Sequence, residues 1–283
     1  MAAYRIQVLG TMSGVGKSTI AAGLCRCFSR RGLRVAPFKA LNLASRSVRL
    51  ANGCEIGVGQ AIQAAACGVE PDARMNPVLL KPEGGQTRCF LCGRESFSYG
   101  AYEYAGRNRT LRAGAKQAFE SLAVEYDMIV LEGSGSCCEP NLFGSDVANC
   151  WMGEAAGANA ILVADIERGG VFAQAYGTLG LLPEEWRARI GGIVVNKFHG
   201  EPACFQDGAK YLAERAGVPV LGVLPWRSSG LPEEDGGGAA DWEAARLASA
   251  LAQDTFDRLA DFLEQYLDLP QIGHLAGLPA GWI

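Results

Sequence analysis

The sequence predicts an α/β fold, open and doubly wound around a mostly parallel sheet. Three observations predict it: short runs rich in Val, Ile and Leu recur along the chain, stretches with helical spacing lie between them, and a glycine-rich turn joins the first strand to the first helix. Continuous apolar strands alternating with helices suit a sheet buried on both faces. In order, residues 4–9 read as a strand, 17–31 as a helix and 35–38 as a short second strand. Four further strands are expected at residues 128–131, 160–164, 190–195 and 220–224, with helices such as 111–125 and 205–216 between them. Residues 40–110 interrupt this rhythm with many Gly, Pro and Arg and weak periodicity, so they are expected to form an insertion over the ligand edge of the sheet. Residues 227–240 read as a linker loop. Residues 241–267 carry the spacing of one long amphipathic helix (Leu247, Leu251, Leu259, Phe262, Leu263, Tyr266), followed by a short tail. The expected organisation is a main domain over 1–226, the linker, and a helix and tail at 241–283 packed back on that domain.

Composition narrows the class. At roughly 150 residues per domain, 283 residues allow one large domain or two small ones. Apolar residues make up 49% and charged residues 20%, ordinary globular usage, and the net charge of −4 argues against a nucleic-acid or anionic-membrane binder. No window approaches the roughly 18 uninterrupted apolar residues of a membrane span. The start of the chain lacks signal-peptide zones, so a cytoplasmic location is expected. The 10 cysteines are expected to be small buried thiols. Cys89 and Cys92 form the only C-x-x-C, with no second pair or nearby histidine to complete a zinc site. Metal or redox use of that pair, or a role for Cys137 and Cys138, is the alternative. His199 and His274, the only histidines, read as surface or loop residues.

The strongest local signal is Gly10-Thr11-Met12-Ser13-Gly14-Val15-Gly16-Lys17-Ser18-Thr19, between the first strand and the first helix. Backbone N–H groups from Thr11, Ser13, Gly14, Val15, Gly16 and onward to Thr19 can wrap phosphates at a helix N-terminus, with Lys17 reaching the β- and γ-phosphates. The Ser18 hydroxyl is placed to ligate Mg²⁺. The strict pattern would put glycine at position 11, where this chain has Thr11. Glu132 ends the strand at 128–131 and precedes Gly133-Ser134-Gly135-Ser136; there it can complete an oxygen shell for Mg²⁺, or be a solvated strand-end acid. Lys39, at the end of the second strand, is placed to neutralise a transferring phosphoryl group. Asn196, followed by Lys197, can read the edge of a nucleotide base.

Together these segments resemble cobyric acid synthase, a P-loop NTPase fold of the dethiobiotin synthetase-like type. The matching stretches are Gly10 to Thr19, Ala36 to Asn42, Glu55-Ile56-Gly57 with Gln60 and Gln63, Met75 to Pro82, Leu131 to Ser136, Asp146 to Asn149, Leu162 to Phe172, Val195 to Phe198 and Leu221 to Pro225. The resemblance runs from about residue 5 to residue 226 and implies an ATP-dependent amide ligase. Such an enzyme phosphorylates side-chain carboxylates of a cobalt corrinoid and lets ammonia displace the phosphate. It implies MgATP held by Lys17, Ser18 and Glu132, with Lys17, Lys39 and Asp146 as catalytic residues and Asn196 at the base. It also implies an acceptor side formed by Asn42, Glu55, Gln60, Asn149, Asp165, Arg168, Gly169 and Gly170.

Departures from that family bear on the acceptor. The family's glutaminase domain has no expected counterpart in residues 1–283, so ammonia is expected from solution or from a separate glutaminase subunit. The family's N-L-R-D-R-D-I-A-N appears as Asn141 to Asn149 without its two arginines, while Arg46 is gained in the stretch Asn42 to Ser47. The segment after Lys81-Pro82 is shortened and carries cysteines. Partition ATPases of the ParA and MinD type carry a second lysine at position 12, where this chain has Met12. Alternative readings are a dethiobiotin synthetase-type ligase on another carboxylate, or a regulatory P-loop ATPase. The expected partners are a corrinoid-like carboxylate and no nucleic acid or membrane; a homodimer is left open.

Overall fold

The structure, a computed structural model, describes residues 3–100, 107–232, 242–243 and 253–282. Its first half runs β1 (Tyr4–Gly10), α1 (Lys17–Arg30), β2 (Val35–Phe38), β3 (Leu41–Leu43), β4 (Ser47–Arg49), β5 (Glu55–Gly57), α2 (Val58–Cys67), β6 (Val78–Glu83), β7 (Gln86–Leu91) and β8 (Arg94–Gly100). There follow α3 (Asn108–Glu125), β9 (Met128–Glu132), α4 (Cys150–Ala156), β10 (Asn159–Asp165), α5 (Val171–Leu181), α6 (Glu184–Arg187), β11 (Ile190–Phe198), α7 (Gln206–Ala216), β12 (Val220–Pro225) and β13 (Trp242–Glu243). The helices Gln253–Tyr266 and Leu269–Leu275 complete the described chain.

Six parallel strands form the central sheet in the order β12-β11-β10-β1-β9-β2. The alternation of strand side chains sorts them onto two faces. Ile6, Val8, Ile161 and Val163 pack with α1 and the helix Gln253–Tyr266, whereas Leu162, Ala164, Ile193 and Val195 pack with α5 and α7. The strand order reverses at β1, which lies between β10 and β9, so the crevice at its carboxyl end is the topological switch point where such sheets bind ligands.

Two expectations need correction, and a third gains detail. Residues 40–100, weakly periodic in sequence, hold α2, the small sheet β3-β6-β7-β8 and the strands β4 and β5, which β13 joins in a second small sheet, β13-β4-β5. Strands of three residues are too short to show a period of two. Paired glycines at the β6–β7 turn, Gly84 (φ 58°) and Gly85 (φ 81°), supply the left-handed backbone a tight hairpin needs. The C-terminal helix does not begin at residue 241, because Trp242–Glu243 pairs in parallel with Val48 and Arg49 of β4. Its described part is Gln253–Tyr266, and Leu247 and Leu251 lie outside the described residues. The expected tail contains a second helix, Leu269–Leu275, opened by the Asp268 side chain accepting from Gln271 N at 3.0 Å.

The helix Gln253–Tyr266 lies on α1. Phe256, Leu259 and Leu263 are buried against it, and Arg26–Asp257 (2.8 Å) and Arg31–Glu264 (2.8 Å) flank the seam. Gly23, in mid-helix, permits this approach: a methyl group there would run into Leu263. Helix α1 is thus clamped from behind while its N-terminus faces the crevice.

Candidate functional site

The loop between β1 and α1 gets its shape from two glycines with positive φ, Gly14 (73°) and Gly16 (99°). Gly16 stands immediately before α1, whose 14 residues begin with no side-chain cap and no acid in the first turn. Its first-turn N–H groups therefore point at the crevice, where an anion would meet them. Lys17, 6% exposed, folds over the loop and donates to Met12 O (3.0 Å) and to Gly135 O (2.7 Å). The loop is braced from the side by Asn196, whose Nδ2 donates to Val15 O at 2.8 Å. A Cβ at Gly16 would strike that same amide.

The neighbouring strands β2 and β9 pair with Phe38 opposite Leu131, so the residues that follow, Lys39 and Glu132, emerge side by side. Both are buried, and Lys39 Nζ donates to Glu132 Oε1 at 2.9 Å. Ser18 Oγ donates to the same oxygen at 2.8 Å. The other oxygen, Oε2, accepts from Gln63 Nε2 (2.6 Å) and Gln60 Nε2 (3.3 Å), one turn apart on α2. Burial pushes the Glu132 carboxyl toward protonation, but the Lys39 charge and the hydrogen bonds from Lys39, Gln63 and Ser18 outweigh it and hold it below its ordinary range. Glu132 is an ionised acid in a buried, fully bonded setting rather than a solvated strand end.

Lys17, Ser18, Lys39 and Glu132 border a cavity of about 710 Å³ that also takes in Ser13, Asn42, Ser134 and Lys197. Ser229, Leu231 and Pro232 form part of its wall, so the segment read as a linker reaches the site. A second cavity of about 340 Å³ lies across Ser13, Ser134 and Gly135 and is lined by Leu41, Leu142, Phe143, Val147 and Asp146 among others.

The structure gathers some predicted residues and separates others. Ser13, Gly14, Gly16, Lys17, Ser18 and Thr19 line the larger cavity with Lys39, Glu132 and Asn42. Val15 turns its side chain into the core, and Thr11 is buried with its N–H donating to Val163 O at 3.0 Å. Asp146 lines the second cavity, but its carboxylate caps the start of α4, accepting from Ala148 N (3.2 Å), Asn149 N (2.9 Å) and Trp151 N (2.8 Å). Asn149 braces the loop after β9, donating to Ser134 O and accepting from Ser134 N, each at 2.9 Å. Asp165 accepts from Lys197 Nζ at 2.8 Å and from Glu167 N at 2.8 Å. Arg168, Gly169 and Gly170 form an exposed turn into α5 and line neither cavity. Glu55 also stands away from both, accepting from Ser47 Oγ (2.7 Å) and Lys81 Nζ (3.1 Å). Sequence reasoning passed over Gln63 as a site residue, although its spacing of three from Gln60 was the available signal. The wall residues Ser229, Leu231 and Pro232 carried no signal.

Among the described residues, no three His, Cys, Asp or Glu side chains cluster as a metal site. Cys89 is buried on β7 while Cys92 is exposed in the following turn. Burial pushes the Cys27 thiol up to about 12 and Cys89 up to about 11, as befits inert core thiols. His199 is exposed and stacks on Trp226. Among the described residues, no helix is long and apolar enough to cross a membrane.

Comparison with known proteins matches residues 6–235 to a family model described as the CobQ/CobB/MinD/ParA nucleotide binding domain. The chain is 46% identical over 231 residues to the cobyric acid synthase of Clostridium perfringens, covering 81% of this chain and 47% of that protein. It is 48% identical over 232 residues to the cobyric acid synthase of Salmonella gallinarum (82% and 46% covered). Against the probable cobyric acid synthase of Methanoculleus marisnigri it is 48% identical over 235 residues (83% and 48%). The chain spans about half the length of these curated relatives. The family match extends from β1 through β12 and takes in the phosphate loop, Lys39, Glu132 and Asn196; by it, the chain belongs to the CobQ/CobB/MinD/ParA nucleotide-binding domain family.

Proposed function

We propose that this chain is the ATP-using part of a cobyric acid synthase-like amide ligase, which activates side-chain carboxylates of a corrinoid for amidation. The observation that carries the reading is the convergence of Lys17, Ser18, Lys39 and Glu132 on one cavity at the switch point of the sheet. The identity of 46% to a cobyric acid synthase supports the choice of reaction.

A carboxylate is a poor electrophile, so the reaction first has to give it a leaving group. A carboxylate oxygen of the acceptor attacks the γ-phosphorus of ATP, the bond to the β–γ bridging oxygen breaks, and ADP departs with that electron pair. Ammonia then attacks the acyl carbon, inorganic phosphate leaves, and the nitrogen loses a proton to give the amide. The chain's part is placement and charge neutralisation. The loop N–H groups and Lys17 hold the β- and γ-phosphates. Lys39 stands where it can follow the phosphoryl group across to the acceptor, exchanging part of its bond to Glu132 for one to phosphate. The residues fit Mg²⁺ as a hard cation, since the Ser18 hydroxyl and the Glu132 carboxylate are oxygen donors 2.8 Å apart. With so few protein ligands, its remaining positions would go to phosphate oxygens and water. When bound, the ion would neutralise charge between the β- and γ-phosphates. Asn196, whose amide nitrogen already holds the loop, would serve the nucleotide by fixing the cradle as well as by any contact to the base.

A second reading, a ligase acting on a different carboxylate, is favoured by one observation: among the described residues lining the second cavity there is no lysine, arginine or histidine to meet a polyanionic acceptor. ADP release in the presence of MgATP and ammonia, measured with and without a cobyrinic acid diamide, separates the two. Corrinoid-dependent turnover supports the first reading, and turnover only with other carboxylates supports the second. ADP release that needs no carboxylate would overturn both.

A further inference from the structure

We propose that Gln60 and Gln63 are positioning residues that divide the Glu132 carboxylate, anchoring Oε2 on α2 so that Oε1 alone serves Ser18, Lys39 and a divalent cation. This role rests on the nucleotide-binding reading above and extends it to two side chains that line neither cavity. The division is visible in the bonds: Oε1 accepts from Ser18 (2.8 Å) and Lys39 (2.9 Å), and Oε2 accepts from Gln63 (2.6 Å) and Gln60 (3.3 Å).

Both amides are held in this orientation at a cost. Gln60 Oε1 and Gln63 Oε1 are buried and have no hydrogen-bond partner among the described residues. Amides recruited only to fill the core would be placed with both ends bonded. Here the nitrogen end goes to Glu132, with Gln63 Nε2 also reaching Ser18 O at 3.4 Å, and the carbonyl end goes without among the described residues. The amides also have the right charge. Two neutral donors fix the carboxylate without adding positive charge to its pair with Lys39, whereas a second lysine would leave the cluster net positive and repel a cation. Without the anchor the carboxylate could turn and offer both oxygens to Lys39, withdrawing Oε1 from Ser18 and tying Lys39 to the acid. Gly57 helps to set the distance, because a Cβ there would meet Gln60 Oε1 at 2.8 Å and Asn76 Oδ1 at 2.9 Å.

The test is calorimetric binding of the non-hydrolysable β,γ-imido analogue of ATP to the full chain, with Mg²⁺ and with EDTA. Gln63→Met keeps the length of the side chain and removes the donor. It is expected to bind metal-free nucleotide within about 2-fold of wild type while its gain from Mg²⁺ falls roughly 10-fold, the effect of losing a residue that orients a metal ligand. Gln60→Met, which removes the longer contact, should lose less. If Gln63→Met does not fold, Gln63→Asn, whose amide stops one carbon short of Oε2, should show the same selective loss. A wild-type Mg²⁺ gain in a folded Gln63 variant would overturn the assignment, as would an equal loss with and without metal. No nucleotide uptake by the wild-type chain would overturn the nucleotide reading itself, and this role with it.

Discussion

The two cavities beside the phosphate loop share Ser13, Ser134 and Gly135 and differ in nearly everything else. The larger is bordered by three lysines, Lys17, Lys39 and Lys197, and by the buried Glu132. The smaller offers Leu41, Leu142, Phe143 and Val147, and its Asp146 carboxylate is spent on backbone N–H groups. Cations are concentrated where a phosphoryl group would move, while the charged residues among the described lining of the smaller cavity are the acids Glu139 and Asp146. The first region is built to discriminate by electrostatics, the second by shape.

The largest expected effect breaks the first half of that contrast. Lys17→Ala should lower nucleotide turnover by at least about 100-fold with an unchanged circular dichroism spectrum, because a preorganised cation on the transferring phosphate is lost. Wild-type rates would mean that the larger cavity does not handle phosphate. Lys39→Ala should reduce kcat more than it weakens ATP binding, since its proposed partner is the group in transit. It should also cost about 3 kcal/mol of stability in urea titration, because Glu132 would be left buried without its cation. A loss confined to ATP affinity would remove Lys39 from the transfer step.

A smaller effect sharpens the second half. Placing a cation at the rim of the smaller cavity, with Ser145→Arg, should lower KM for a polyanionic carboxylate acceptor by up to about 5-fold, the scale of an exposed ion pair. KM for ATP should stay unchanged. If both constants move together, the two cavities do not divide the substrates as proposed.

The smallest effect is a control away from both cavities. Hydrogen bonds from Arg34 hold the Asp127 carboxyl below its ordinary range, and Arg26 does the same for Asp257. In each case the unfolded chain takes up protons first as pH falls. The stabilisation is therefore complete at neutral pH and drains away below about pH 4. Melting temperature should be flat from pH 8 to 6 on account of these pairs and fall in acid, with a slope reduced by salt.

The sheet and its phosphate loop were legible in the sequence because each rests on a local pattern. Apolar runs mark the strands, and Gly14, Gly16 and Lys17 sit where a strand must turn into a helix. Lys39 and Glu132 were legible as strand-end residues at the ligand edge. Their ion pair was not, because it depends on β2 lying beside β9, a neighbour relation across some ninety residues. Asp146 shows the opposite limit: an acid within a recognisable stretch lines the smaller cavity and also accepts from N–H groups at the start of α4, bonds that no spacing rule reveals. Residues 40–100 were opaque because their strands are three to seven residues long and are held by pairing with one another. The reach of Leu231 and Pro232 into the cavity follows from the path of the chain after β12, and nothing in their local composition announces it.

The clamp on α1 carries a practical consequence for anyone trimming this polypeptide. Cutting after residue 226 looks natural from the sequence, yet it would strip away the cover supplied by Phe256, Leu259 and Leu263 and bare the greasy flank around Gly23 and Leu24. The same cut removes Leu267, whose backbone bridges to Gly222 on the outermost strand. A shortened version would sooner aggregate than bind nucleotide, and its silence in an assay would report on that missing cover and on the lost wall residues Ser229, Leu231 and Pro232 rather than on the catalytic groups.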